Sequence, residues 1–258
     1  MPATPAKAAQ KADLIEGFIT GLAAINAFTD ASPRLTATEL ADKLDISRAA
    51  ARRFLITLNH VGYAATDGRT YWLTPRVLAL GHSYFSSARL PRTARPFLQQ
   101  IATETQESSN LALLDGRDVI YVARANVARL MSTGIEPGTR LPAHTTAAGR
   151  VILAGLPKAE LDTWLADAQL TAYTPQTVVN KKKFAVEVNA TRAAGYSAVE
   201  SQFEIGLRGI AVPLASRRGE IVGALGISMA SSTCGVKEAT RRYVPALKAA
   251  AQGLMDLI

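Results

Sequence analysis

From Asp13 onward, apolar residues recur at helical spacing. Ile15, Phe18, Ile19, Leu22, Ile25 and Ala27 or Phe28 line one side of "DLIEGFITGLAAINAFTD", which predicts an amphipathic helix. "SPRL" breaks it. In "TATELADKLD", Thr36 and Glu39 have the spacing of a capping box, and Leu40, Ala41 and Leu44 form the apolar face. Asp45-Ile46-Ser47 then separates this second helix from a third, for which Ser47 is a good N-cap. Along the third helix Ala51, Phe54, Leu55, Leu58 and Val61 make an apolar spine, and Gly62 ends it. "YAATDGRTYWLTP" alternates as two short β-prone runs around Asp67-Gly68, the pattern of a hairpin.

A second helix ending three residues before a third is helix-turn-helix spacing, and the hairpin adds a wing. Residues 15–74 therefore read as a winged helix-turn-helix behind a flexible tail, 1–14. "PRVLALGHSYFSSARL" predicts a connector helix over 75–90, closed by Pro91. Over 91–258 the pattern is mixed. "RTARPFLQQIATETQES" is helical, and "SNLALLDGRDVIYVARA" is a hairpin turning at Asp115-Gly116. "RLMSTGIEPGTRLP" gives a further strand and a Pro/Gly loop. "HTTAAGRVILAGLP" reads as a loop feeding a helix, followed by helices in "KAELDTWLADA" and "KKKFAVEVNATRAAGY". A third hairpin turns at Arg218-Gly219, and a closing helix begins near Val236. Hairpins bracketed by helices make this half an α+β domain, an antiparallel sheet flanked by helices.

The 258 residues carry 48% hydrophobic and 19% charged residues, a globular rather than a disordered composition. A formal charge of +8 fits an anionic partner. The excess is spread out, however: residues 1–85 hold nine basic and seven acidic residues, so local placement has to decide. Between Ser47 and Arg76 stand five arginines and one acid, Asp67. The lone Cys234 allows no intrachain disulfide, which suits a reducing compartment. No signal-peptide core or membrane-length apolar run is evident, and the expectation is a cytoplasmic protein with no membrane partner.

On the third helix, Arg48, Arg52 and Arg53 lie away from the spine, with small Ala49 and Ala50 between them. Arginine bridges guanine O6 and N7 or binds phosphate, and alanine lets the backbone approach base edges. With Thr38, Ser47, and Arg69 and Thr70 at the wing tip, these are the candidate contacts to double-stranded DNA. Solvated surface arginines, or a winged helix used for protein contacts, are the alternatives. An enzyme reading rests on "GISMA", Gly226–Ala230, which approaches a nucleophile-elbow motif but lacks its last glycine and its strand–turn–helix context. A Ser228–His144 pair in a hydrolase-like C-terminal domain stays open on sequence alone. Neither a metal-ligand cluster nor a nucleotide loop is visible, so no cofactor is expected.

"LTATELADKLDISRAAARRFLITLNHVGYAATDGRTYWLTPRVLALG" resembles the winged helix-turn-helix of the IclR family of bacterial transcription regulators. "GTRLPAHTTAAGRVILAGL" is similar to that family's effector-domain signature, and "GYSAVESQFEIGLRGIAVPL" to a further block. "ARLMSTGIEPGTRLPAHTT" is most like regulators of aromatic-acid catabolism, the protocatechuate and β-ketoadipate group. The resemblance implies a GAF-like effector domain that binds a small organic acid, with homodimers or dimers of dimers on operator DNA. It implies a pocket drawing on Leu130, Met131, Ala147, Ala148, Gly149, Leu207, Gly209, Gly226 and Ser228. In the group a Ser and a bulkier residue usually stand where this chain has Thr146 and Ala147-Ala148, so the pocket is expected to differ in size or ligand. Glycine at 209 leaves room for a larger ligand such as an aromatic ring. His144, Thr145 and Thr146 add possible donors, although a lone histidine beside a loop is more often structural. Arg124, Arg129 and Arg208 are candidate carboxylate partners, unless exposed or paired with an acid such as Glu200 or Glu204.

Overall fold

The structure is a computed structural model that describes residues 13–127 and 135–258. These fall into two compact units, one ending at Ser87 and the other starting at Ala88.

The first unit contains α1 (Glu16–Asn26), α2 (Ala37–Leu44), α3 (Arg48–His60), the hairpin β1 (Ala64–Thr66) and β2 (Tyr71–Leu73), and α4 (Leu78–Ser87). The capping box forms: the Thr36 hydroxyl accepts the Glu39 N–H, and the Glu39 carboxylate accepts the Thr36 N–H at 2.7 Å. The bonds its carboxylate accepts from the Thr36 N–H and hydroxyl hold the Glu39 carboxyl below its ordinary pKa. Asp45 takes a left-handed conformation (φ 53°) that turns the chain sharply, and the Ser47 hydroxyl then accepts the Ala50 N–H to start α3. Ala24, Leu35, Leu40, Ala41, Ala51, Leu55, Leu58 and Ala64 form the core of this unit. Leu35 pairs with Tyr71 through two backbone hydrogen bonds, tying the wing to the segment before α2.

Two sequence expectations need correction here, on Val61 and on the connector. Val61 is not part of the buried spine; it is the C-cap of α3 and is 39% exposed. Most of the apolar face of α1 is likewise outside the core: Ile15 is 75%, Phe18 66% and Leu22 43% exposed. The connector does not run to residue 90. Pro75–Val77 is a 3-10 turn, α4 ends at Ser87, and a new helix starts at Arg89. Pro91 lies in that helix's first turn, where a missing N–H breaks no intrahelical bond.

The second unit contains α5 (Arg89–Thr105), β3 (Ser108–Asp115), β4 (Asp118–Ala125), β5 (Arg140–Pro142), α6 (Ala147–Gly155), α7 (Lys158–Asp167), α8 (Lys181–Ala194), β6 (Ser197–Glu200), β7 (Leu207–Ala215), β8 (Ile221–Ala230) and α9 (Val236–Met255). Its six-stranded sheet has the order β5-β4-β3-β8-β7-β6, with every neighbouring pair antiparallel. Strand β6 was not foreseen; it is a four-residue edge strand paired to β7. On one face of the sheet, α5 and α9 pack over Leu111, Ile210, Val212, Leu214, Leu225, Ile227 and Met229. The other face supports α6 and α8 over smaller residues, including Ala112, Ala211 and Ala224.

That difference follows from the period of two along a strand. In β7 and β8, Ile210, Val212, Leu225 and Ile227 point one way, so Gly209, Ala211, Ala224, Gly226 and Ser228 point the other. Small side chains on that face leave space under α6. Among the described residues, no helix is long and apolar enough to cross a membrane.

Candidate nucleic-acid interface and ligand cavity

On α3 the buried residues are Ala51, Leu55 and Leu58, so the opposite side is free. Arg48, Ala49, Arg52 and Arg53 are all exposed, as are Ser47 at the cap and Thr38 on α2. Ala50 is half-buried and its N–H is used by the cap. At the wing tip, Asp67 is a staple: its carboxylate accepts the Thr70 and Arg69 N–H groups and the Thr70 hydroxyl. Those bonds lower its pKa to about 2. The Thr70 hydroxyl is therefore occupied in shaping the loop, while Arg69 is exposed. Arg34, not singled out from the sequence, stacks 4.1 Å over the Trp72 ring and lies 3.7 Å from Asp67, adding a cation beside the wing. Nothing in the spacing of "SPRL" signalled that.

A partly open cavity lies under α6 in the second unit. Thr145, Thr146, Ala147 and Ala148 form its upper wall, and Leu207, Gly209, Ala211, Gly226 and Ser228 its floor. The Thr146 hydroxyl caps α6 by accepting the Gly149 N–H at 2.9 Å. The N–H groups of Ala147 and Ala148 belong to the first turn, which has no intrahelical acceptors. Asn110, Tyr121, Ile135, Leu141, Val199, Gln202 and Phe203 also line it and were not foreseen. Asn110 donates to the Ser228 hydroxyl at 3.2 Å, across paired strands β3 and β8. A Cβ at 226 would stand 2.9 Å from the Asn110 Oδ1, so glycine is what allows the amide to lie there. Burial pushes the Tyr121 phenol well above its ordinary pKa, which keeps it an O–H donor.

Two expected pocket residues stand outside this wall. Gly149 is a packing position, where a Cβ would overlap the Ala143 carbonyl. His144 is buried, its Nε2 3.0 Å from the Thr171 carbonyl and its ring edge-on to Phe184. Burial lowers its pKa, which favours the neutral ring donating to Thr171. The Ser228 hydroxyl and the imidazole thus have separate partners, and no Ser–His relay is built. Arg208 is also spoken for. Its guanidinium is 3% exposed and meets Glu200 at 2.6 Å and the Ser231 carbonyl at 3.1 Å. Arg124 is buried within 3.9 Å of Glu136. Arg129, Leu130 and Met131 lie outside the described residues. Among the described residues, no group of three His, Cys, Asp or Glu could hold a metal ion.

Known proteins match along nearly the whole chain. The bacterial transcriptional regulator IclR C-terminal domain matches residues 82–255, and the IclR helix-turn-helix domain matches residues 21–68. The Pca regulon regulatory protein of Pseudomonas putida is 39% identical over 257 residues, 98% of this chain and 88% of that protein. A transcriptional regulator of Rhodococcus sp. RHA1 superposes with a TM-score of 0.81 at 39% identity, over 94% of this chain and 98% of that one. The inducer-binding domain of the PobR transcription factor from Acinetobacter, a double mutant in complex with 3-hydroxybenzoic acid, is 28% identical with a TM-score of 0.63. It covers 66% of this chain, and all of that chain is covered. Family and relatives alike are regulators of transcription rather than enzymes. With both of its domains matched in order, the chain belongs to the IclR family of bacterial transcriptional regulators.

Proposed function

We propose that this regulator binds operator DNA through α3 and the wing, and that its cavity takes a small carboxylate, an aromatic acid or a catabolic product of one. The observation that carries the effector reading is the cavity beneath the start of α6. An anion there meets first-turn N–H groups and the positive end of the helix. The rest of the wall suits a flat ring: aliphatic side chains and Phe203, with Tyr121, Asn110 and Ser228 as hydrogen-bonding groups for a ring substituent. The related PobR domain in complex with 3-hydroxybenzoic acid supports the aromatic class.

On the DNA side, Arg48 and Arg52 are four residues apart on one face of α3, where both reach the same groove. The exposed face of α1, with Ile15, Phe18, Ile19 and Leu22 at seam spacing, supports a homodimer in which two copies cover it mutually. Connector α4 then transmits effector binding to the DNA-binding unit. Such a regulator works in the cytoplasm, where its operator is.

A thermal-shift screen tests the cavity. Hydroxybenzoates, dihydroxybenzoates and ring-cleavage diacids should raise the unfolding temperature selectively, because a ligand of the folded state stabilises it. At Gly209 a Cβ would sit 3.5 Å from that of Ala147, so Gly209→Ala fits and Gly209→Trp fills the cavity. Gly209→Trp should abolish the shift while keeping DNA affinity. A normal shift in that variant would mean the acid binds elsewhere.

A further inference from the structure

On α6, Arg150 is 5% exposed and uses all three of its nitrogens. Its Nε donates to the His144 carbonyl at 3.1 Å, its Nη1 to Glu187 on α8, and its Nη2 to the Gln202 Oε1 at 3.1 Å. Gln202 belongs to the segment between β6 and β7 and forms part of the cavity wall. Its Oε1 also accepts the Val178 N–H at 2.9 Å, and its backbone carbonyl accepts the Thr177 hydroxyl. Two donors converging on one amide oxygen settle which end of the carboxamide is which: the reverse orientation would set N–H against N–H twice. The side chain therefore has its acceptor used, and among the described residues its Nε2 donors are left over.

We infer that Gln202 is a specificity residue of the effector cavity, held by Arg150 so that its Nε2 donates a hydrogen bond to the ligand's carboxylate. The inference rests on the effector reading above and names a residue that reading does not need. Arg150 lies only three residues beyond Ala147, so one short helix both offers its first-turn N–H groups and fixes the glutamine. A carboxylate at the start of α6 then receives one oxygen's bonds from the helix and the other's from Gln202. Arg150 itself is a positioning residue. With its guanidinium committed to Glu187, His144 and Gln202, it gives the site orientation rather than direct charge pairing.

Gln202→Glu is the informative substitution. It keeps an oxygen for Arg150 and Val178, so the local fold is preserved, but replaces the donor by a second acceptor. Calorimetry with 4-hydroxybenzoate and its neutral carboxamide, 4-hydroxybenzamide, reads the contact. The parent protein should prefer the acid by about ten-fold or more, the scale of a hydrogen bond to a charged group. In Q202E, acid affinity should fall at least about ten-fold and amide affinity should rise above the parent's, because the new carboxylate accepts the amide N–H. A change in local charge without contact would weaken the acid and leave the amide where it was, and that result overturns the inference. Unchanged acid affinity in Q202E does so too, while leaving the effector reading standing. A parent protein that binds neither compound nor any other aromatic acid removes both. Gln202→Met, compared by its unfolding temperature without ligand, separates loss of the Arg150 support from loss of the donor: it should lower both stability and acid affinity, whereas Q202E should lower affinity alone. If Q202E loses as much ligand-free stability as Gln202→Met, the glutamine is structural and the inference fails.

Discussion

Arg48 and Arg52 bear the sharpest prediction at the scale of single residues. Both are exposed on the side of α3 that its core contacts leave free. Replacing either by alanine should weaken operator binding by about 1–3 kcal/mol if it bridges a base, while the unfolding temperature stays the same. Unchanged binding in both variants would remove α3 as the reading helix. His144 gives a prediction of another kind. Burial holds its folded-state pKa below the ordinary 6.5, with the Arg150 charge acting the same way and the Thr171 bond opposing. The unfolded chain therefore binds the proton more readily, so the contribution is complete above pH 6.5 and is lost as pH falls below it. Thermal unfolding at about pH 7.5 and about pH 5.5 should show this loss, and His144→Asn should show a smaller one. An identical pH slope in that variant would show that the imidazole is not held neutral. Gly209 and Ser228 were pointed to by the resemblance of their segments to the family, and both line the cavity. Gln202, Asn110 and Tyr121 were not, since each is assigned only by what it meets across the sheet or from another loop.

Periodicity works best at the scale of elements, and α1 shows its limit. Ile15, Phe18, Ile19 and Leu22 are spaced like a core face, yet the chain's own core uses Ala24 and leaves those four exposed. Apolar spacing says that a face is to be covered, not whether the same chain covers it. On the proposed account a second copy does. Leu22→Glu should therefore shift the protein from dimer towards monomer in sedimentation velocity, with the far-ultraviolet spectrum unchanged. Persistence of the dimer would place the interface elsewhere. The helix-turn-helix was legible because its caps and turn are local: Thr36 with Glu39, Asp45, and Ser47 with Ala50 each act within four residues. Pro91 misled because proline's effect depends on its position in a helix, and the start of α5 at Arg89 is not marked by any side-chain cap. Edge strand β6 is too short for alternation to register, and its pairing with β7 is closed by a loop rather than a tight turn.

At the scale of the whole molecule, the charge of +8 says little by itself; what counts is that arginines crowd α3 and the wing while the sheet of the second unit is hollowed on one face. A dimer would set two copies of α3 into major-groove faces about 34–36 Å apart, or a multiple of that. On the proposed account these two features belong to one switch: an acid in the cavity changes the affinity of the helix for DNA. A coupling of about 1–3 kcal/mol is enough for a regulatory response. The most direct measurement is fluorescence anisotropy of a labelled promoter fragment, titrated with the full chain, with and without a saturating aromatic acid chosen by thermal shift. The predicted result is DNA affinity that falls steeply with salt and shifts about five-fold or more when the acid is added. An acid that binds the protein yet leaves the titration unmoved would contradict it.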